Sequence, residues 1–156
     1  MGMSPYFAGI RAAIGSELML VPGVTVLPWD EEHRLLLVRD GDSPWGLIGG
    51  AVEPNESPHD AATREAFEEV GIDIELTRLR AALGGPEFRV RYDNGDEVAY
   101  VQTLFDAKVI SGVPKPDMEE VTETRWFSAD ELVKAELDSF ALATLRAINV
   151  LPGSHS

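Results

Sequence analysis

Residues 50 to 72 read GAVEPNESPHDAATREAFEEVGI, and four glutamates and an arginine within them are spaced for work on a cation. Glu65, Glu68 and Glu69 fall at i, i+3 and i+4, so on a helix their Cβ atoms would stand ~5–6 Å apart on one face. Like charges so placed destabilise a helix by ~0.2–0.5 kcal/mol per pair, whereas a cation between them makes the arrangement favourable. Donors that are all oxygen select hard ions, and Mg²⁺ suits a few carboxylates, several waters and the phosphate oxygens of a substrate. The pattern points to a divalent-metal site for diphosphate chemistry. Most Glu-rich helices are merely solvated faces; that reading would here require the neighbouring glycines, helix cap and arginine to be coincidental too.

The element that must carry these side chains is marked at both ends. Ser57 is an N-cap type, Pro58 fits the first helical position, Asp60 can close a capping box, and Gly71 ends the helix. Before it, Gly49-Gly50 lets the backbone approach a ligand closely, and a carbonyl there could join the metal ligands. The candidate metal set is therefore Gly50, Glu65, Glu68 and Glu69. Glu56 can reach Arg64 two turns on, a pair that would support the site by fixing the loop against the helix rather than bind substrate.

The stretch resembles the Nudix box, G-x5-E-x7-R-E-U-x-E-E-x-G-U with U aliphatic: Gly50, Glu56, Arg64, Glu65, Ala66, Glu68, Glu69, Gly71 and Ile72 fill its fixed positions. Three departures lie in or beside it. Ala66 is smaller than the usual leucine-like residue, Ile48 stands where a proline often precedes the glycines, and Asn55 replaces a common glycine; Asn is the best non-glycine tolerator of a left-handed backbone. The resemblance implies an α/β/α sandwich (α+β class) around a central mixed β-sheet. It also implies hydrolysis of a nucleoside diphosphate linked to another moiety, with Mg²⁺ or Mn²⁺, by attack of water on phosphorus. The expected catalytic set is Glu65, Glu68 and Arg64 from the box with Glu120 from a distal loop, residues 112 to 120, where Glu119 and Glu120 offer a movable carboxylate. Glu65 and Glu120 rank equally as general base, and an acidic surface turn is the plain alternative for the loop. A non-catalytic nucleotide-binding regulator on the same fold would be expected to lack a box glutamate, and none is missing. An isoprenyl diphosphate isomerase would want a catalytic cysteine, and the chain has none.

Composition sets limits. A chain of 156 residues makes one domain and buries roughly 68–70% of its unfolded surface. The net charge of −14 argues against a nucleic-acid or anionic-membrane partner, so the expected partner is a small nucleotide whose phosphates arrive with metal; a homodimer is left open. Zero cysteines exclude disulfides and thiolate chemistry and fit a cytoplasmic setting. Neither a signal peptide nor an apolar run approaching ~20 residues is evident.

Periodicity gives the remaining elements. Residues 1–17 form an N-terminal helical extension with a helix over 6–14; residues 18–28 form a strand broken by Pro22-Gly23, and 30–33 a turn. Arg34 to Val38 has the length of a central strand, and Trp45 to Ile48 is a brief one. Strands follow at 72–83, 87–92 and 97–110, with an Asn94-Gly95 hairpin between the last two, and at 121–127. Ser128 to Glu131 is a second capping box opening a helical region to about Asn149, after which 151–156 should fray.

Substrate contacts are harder to place. Arg39 is a candidate phosphate clamp, with a surface ion pair to Asp40 or Asp42 as the alternative; Gly49 and Gly50 are the backbone candidates. Arg89 and Arg91 share one face of a strand and Phe88 and Tyr92 the other, so a ligand could meet guanidinium groups or rings but hardly both. Trp126 should be core, Trp45 core or pocket wall, and His33, His59 and His155 are read as non-catalytic. Pro86, fourteen positions past Ile72, is similar to a proline that ADP-ribose hydrolases carry at about that distance, which leans the substrate narrowly toward ADP-ribose or nucleotide sugars over (deoxy)nucleoside triphosphates.

Overall fold

A computed structural model describes residues 3–153. Its middle layer is a mixed sheet in the order β3-β1-β6-β4, built from β1 (Met19–Pro28), β3 (Ile48–Ala51), β4 (Asp73–Leu83) and β6 (Glu97–Ser111), with β5 (Arg89–Arg91) pairing the start of β6. β1 and β6 run parallel; β1–β3, β4–β6 and β5–β6 are antiparallel. Helix α2 (Pro58–Val70) covers one face. Helices α1 (Pro5–Ile14), α3 (Ala129–Lys134) and α4 (Ser139–Ala147) cover the other, which completes the expected sandwich.

Alternation along the two central strands explains the layers. Val24, Val26, Phe105 and Ala107 face α2, while Leu27 and Leu104 face Leu132 of α3 and Leu145 of α4. Ala61, Ala62 and Ala66 of α2 are fully buried against the sheet. At Ala66 the small side chain therefore suits a close helix–sheet approach.

Several elements differ from expectation. β1 runs unbroken through Pro22-Gly23. The Pro22 carbonyl accepts the Val52 amide at 2.9 Å, so the missing N–H of Pro22 faces the side where pairing with β3 has just ended. The run at 34–38 becomes β2 (Leu35–Arg39), which pairs not within the main sheet but with β7 (Glu123–Phe127). Its residues still alternate between both cores, Leu36 and Val38 on one side and Leu35 and Leu37 on the other, which is why it reads as a continuous apolar run. The expected strand at 87–92 splits into a 3-10 turn (Pro86–Phe88) and β5. The C-terminal helix is interrupted because Trp45 pairs with the backbone there, its N–H donating to Glu136 O and its carbonyl accepting from Asp138 N. Leu151 does not fray but is buried with Leu145 and Ile148; residues 154–156, and with them His155, lie outside the described part. Asn55 sits in a turn without a left-handed backbone, so no special residue is demanded there.

Helix α1 is more than an extension. Ser4 Oγ donates to Glu53 at 3.0 Å at one end, and at the other Arg11 donates to the carbonyls of Gly15, Glu17 and Glu97. Phe7 packs on Met19, Val21 and Val98, so α1 is fastened across the sheet as one wall of a cleft.

Candidate active site

The α2 helix forms as its end signals require. Ser57 Oγ accepts the Asp60 amide, the Asp60 carboxylate accepts the Ser57 amide, and Gly71 at φ 67° closes the far end. Its inward face carries Ala62, Glu65, Ala66, Glu69 and Val70, so two of the glutamates are on the buried side. A charge buried there is costly unless it is matched.

Arg64 supplies most of the match. Its Nε and Nη2 donate to the two oxygens of Glu56 at 3.0 and 2.6 Å, and Nη2 also donates to Ala51 O. Nη1 donates to Glu65 Oε1 at 2.8 Å and to Glu68 Oε2 at 3.2 Å. The cation that the carboxylate spacing calls for is thus, at Glu65 and Glu68, partly the guanidinium itself. Arg64 holds the Glu56 carboxyl below its ordinary pKa, and the carboxylates raise that of Arg64. Glu65, 4% exposed, is pushed up by burial against the opposing pull of Arg64.

Glu69 has no such partner. It is 8% exposed, it accepts from the Gly49 backbone, and its Oε2 is buried without a hydrogen bond. Burial, then the neighbouring Glu65, push its pKa up to about 9. Among the described residues no group of three or more Asp, Glu or His side chains is placed to hold an ion as it stands, since Arg64 draws Glu65 and Glu68 toward itself while Glu68 remains at the exposed rim. The donor set nevertheless fits a hard divalent ion. An orphaned buried carboxylate oxygen beside a second buried carboxylate lacks the positive charge that such an ion would bring.

The glycines serve a closer contact than a ligand. A Cβ on Gly50 would fall 2.3 Å from Glu65 Oε1, and one on Gly49 would fall 2.2 Å from Val24 O. Both positions are glycine because the chain's own atoms occupy that space, although both still line the cleft.

The distal loop is tied down rather than movable. Lys115 N donates to Val70 O and Asp117 N to Glu69 O, covering the carbonyl end of α2. Asp117 Oδ1 then accepts the amides of Glu119, Glu120 and Val121. Glu120 lines the same cleft as Gly50, Arg64 and Glu65, while Glu119 stays exposed.

The cleft has a volume of about 1000 Å³ and runs from that acidic corner over the sheet face to an end walled by Phe7, Tyr92, Tyr100 and Phe140. The Tyr92 and Tyr100 hydroxyls share a hydrogen bond at 2.8 Å, and Phe140 meets Tyr100 and Phe88 edge to face. Of the alternatives on the hairpin, only Tyr92 lines the cleft; Phe88 is buried, and Arg89 and Arg91 are exposed outside the cleft lining. Arg39 does not reach the cleft either. It pairs with Glu123 at 2.6 Å and lies over the Trp45 ring, which is itself core. Pro86 stands exposed at the start of the 3-10 turn, Trp126 packs on the core, and His33 and His59 are outside the cleft. Gln102, Thr25 and Asp138, which line the cleft, escape sequence reasoning. Asp138 caps α4 by accepting the Ala141 amide, and burial raises its pKa. The one hint was a lone glutamine inside the apolar run 97–110.

The capped helix thus delivers two buried carboxylates and an arginine to the edge of the mixed sheet. The NUDIX domain family model matches residues 19–148, and the chain belongs to the Nudix family. It is 33% identical over 115 residues to a putative 8-oxo-dGTP diphosphatase of Bacillus subtilis (strain 168), covering 73% of this chain and 70% of that protein. It is 31% identical over 130 residues to a MutT-like protein of Streptomyces ambofaciens, covering 83% and 75%. Its fold is shared with an ADP-ribose pyrophosphatase of Streptococcus suis 89-1591, at a TM-score of 0.66 and 24% identity over 83% of this chain and 89% of that one. The chain is a Nudix hydrolase, an enzyme of acid anhydrides acting on nucleoside diphosphate derivatives or triphosphates, and its family generally requires a divalent metal. Among the described residues no helix is long and apolar enough to cross a membrane.

Proposed function

We propose that the enzyme hydrolyses nucleoside triphosphates at a phosphoanhydride, water attacking phosphorus at the acidic corner while the nucleoside lies toward the aromatic end. The observation that carries this reading is the single cleft joining Glu65 and Glu120 to the ring-lined wall. One relative above 30% identity, the putative 8-oxo-dGTP diphosphatase of Bacillus subtilis, is named for a triphosphate, which supports this reading. The leaning toward ADP-ribose or nucleotide sugars rested on Pro86, which lies outside the cleft, so those compounds become the second arm of the test.

Glu65 and Glu69, with Glu68 at the rim, would hold Mg²⁺ or Mn²⁺, which supplies charge neutralisation for the diphosphate and an acidified water. Arg64 orients Glu65 through a 2.8 Å hydrogen bond and, through Glu56, holds the preceding loop to the helix. Glu65 and Glu120, which both line the cleft, are the two candidates to take the proton of the attacking water. Phosphate release from a nucleotide panel with Mg²⁺, with and without added phosphatase, separates triphosphates from diphosphate-linked compounds. Turnover of nucleotide sugars or ADP-ribose alone would replace the triphosphate reading.

A further inference from the structure

We propose that Gln102 is a specificity-determining residue that reads the ring edge of the substrate's nucleobase through its side-chain amide, a role that rests on the nucleotide reading above. Gln102 sits in the middle of β6 on the face that floors the cleft and is 5% exposed. Thr25 Oγ1 donates to its Oε1 at 2.7 Å, and Thr25 is itself 1% exposed, so one end of the amide is fixed from below. Its Nε2 makes no hydrogen bond to any described residue.

The sequence leaves room for this amide. Gly23 is the register partner of Gln102 across β1 and β6, and a Cβ there would fall 2.4 Å from Nε2. Gly23 has no left-handed backbone, so space for the amide is the structural demand at that position. A buried polar group in a strand core ordinarily finds its partners within the protein. Here both N–H donors are left for whatever enters the cleft. The walls nearby are flat rings, which suit a base by stacking, and bases present carbonyl and ring-nitrogen acceptors at their edges. A site built to donate a hydrogen bond discriminates strongly, because a ligand lacking the acceptor leaves the donor unpaired.

The test is calorimetric binding of AMP, GMP, CMP and UMP in the presence of Mg²⁺, since monophosphates cannot be cleaved at an anhydride. Wild type should prefer at least one base by ~10-fold or more. Gln102→Met should flatten that preference, and Gln102→Glu should penalise the preferred base further. Gly23→Ala should reproduce the loss without substituting Gln102, because the atoms nearest its methyl group are the end of that side chain, which must move aside. Ribose 5-phosphate serves as the control for sugar contacts and should bind all four proteins equally. Wild type that binds the four monophosphates alike, or not at all, overturns the proposal. So do variants that keep the wild-type preference. Base-selective binding without any nucleotide hydrolysis would remove the reaction proposed above and leave the role of Gln102 standing; hydrolysis with variants that keep the wild-type base preference would do the reverse.

Discussion

Glu69→Gln probes the charge state of the site without changing the shape of the side chain. Glu69 is buried with one oxygen unpartnered, and its pKa is pushed from 4.5 to about 9 by burial and by Glu65. Because the folded value lies above the unfolded one, the folded protein keeps a proton that the unfolded chain releases between those two pH values. Metal-free stability therefore falls as pH rises through that window, by at most about 1.4 kcal/mol per pH unit for one group. From pH 6 to 8 that is roughly 2–3 kcal/mol, or roughly 5–10 °C in midpoint for a domain of this size. Glu65 adds a slope of the same sign. Thermal unfolding in a chelator should thus show wild type losing stability from pH 6 to 8 and Glu69→Gln losing much less, so that the variant is the more stable protein at pH 8. Millimolar Mg²⁺ should reverse the order. An ion bound only by the folded state at a hundredfold excess over Kd stabilises wild type by about 2.7 kcal/mol, and the variant should gain little of this. Identical pH slopes and identical responses to Mg²⁺ in the two proteins would refute both the burial argument and the assignment of Glu69 to the metal.

Glu56 and Arg64, which meet through two hydrogen bonds, should show coupling: each alanine change lowers stability and activity together, and the double change costs less than the sum by 0.5–3 kcal/mol on the usual scale of contacting pairs. Strict additivity in the cycle would remove the supporting role. The two candidate bases separate by Mn²⁺ titration and kcat at saturating metal. Glu65→Gln should weaken metal and rate, whereas Glu120→Gln should lower kcat by ~10²–10⁴-fold with metal affinity intact. Near wild-type kcat in Glu120→Gln would return residues 112 to 120 to the role of an acidic surface turn.

What the sequence disclosed and what it hid follow a physical division. Caps, turns and glycine stops act over four or five residues, so Ser57, Gly71, Asn94-Gly95 and the Ser128 capping box could be read directly, and the structure has each of them. The Arg64 contacts were half legible, because the reach to Glu56 follows from helix spacing but the draw on Glu65 and Glu68 depends on how deeply α2 is sunk. Long-range pairing was not legible. The apolar run of β2 suits any strand buried on both faces, and nothing local says that its partner is β7, 84 to 92 residues away. The cleft was hidden for the same reason: Phe7, Gln102 and Phe140 come from three distant segments and meet only once α1 is fastened across the sheet. Arg39 misled because it is charged and ends a strand, whereas Glu123 and Trp45 already occupy it.

The most direct test of the central claim is hydrolysis of the preferred nucleotide in H₂¹⁸O, with products read by mass spectrometry in Mg²⁺ and in chelator. The account predicts one ¹⁸O in a phosphate product of each turnover, formed only with the divalent ion, and loss of that product in Glu65→Gln and Glu69→Gln. Absence of turnover with every nucleotide offered, or turnover that is indifferent to metal and to both substitutions, would contradict it.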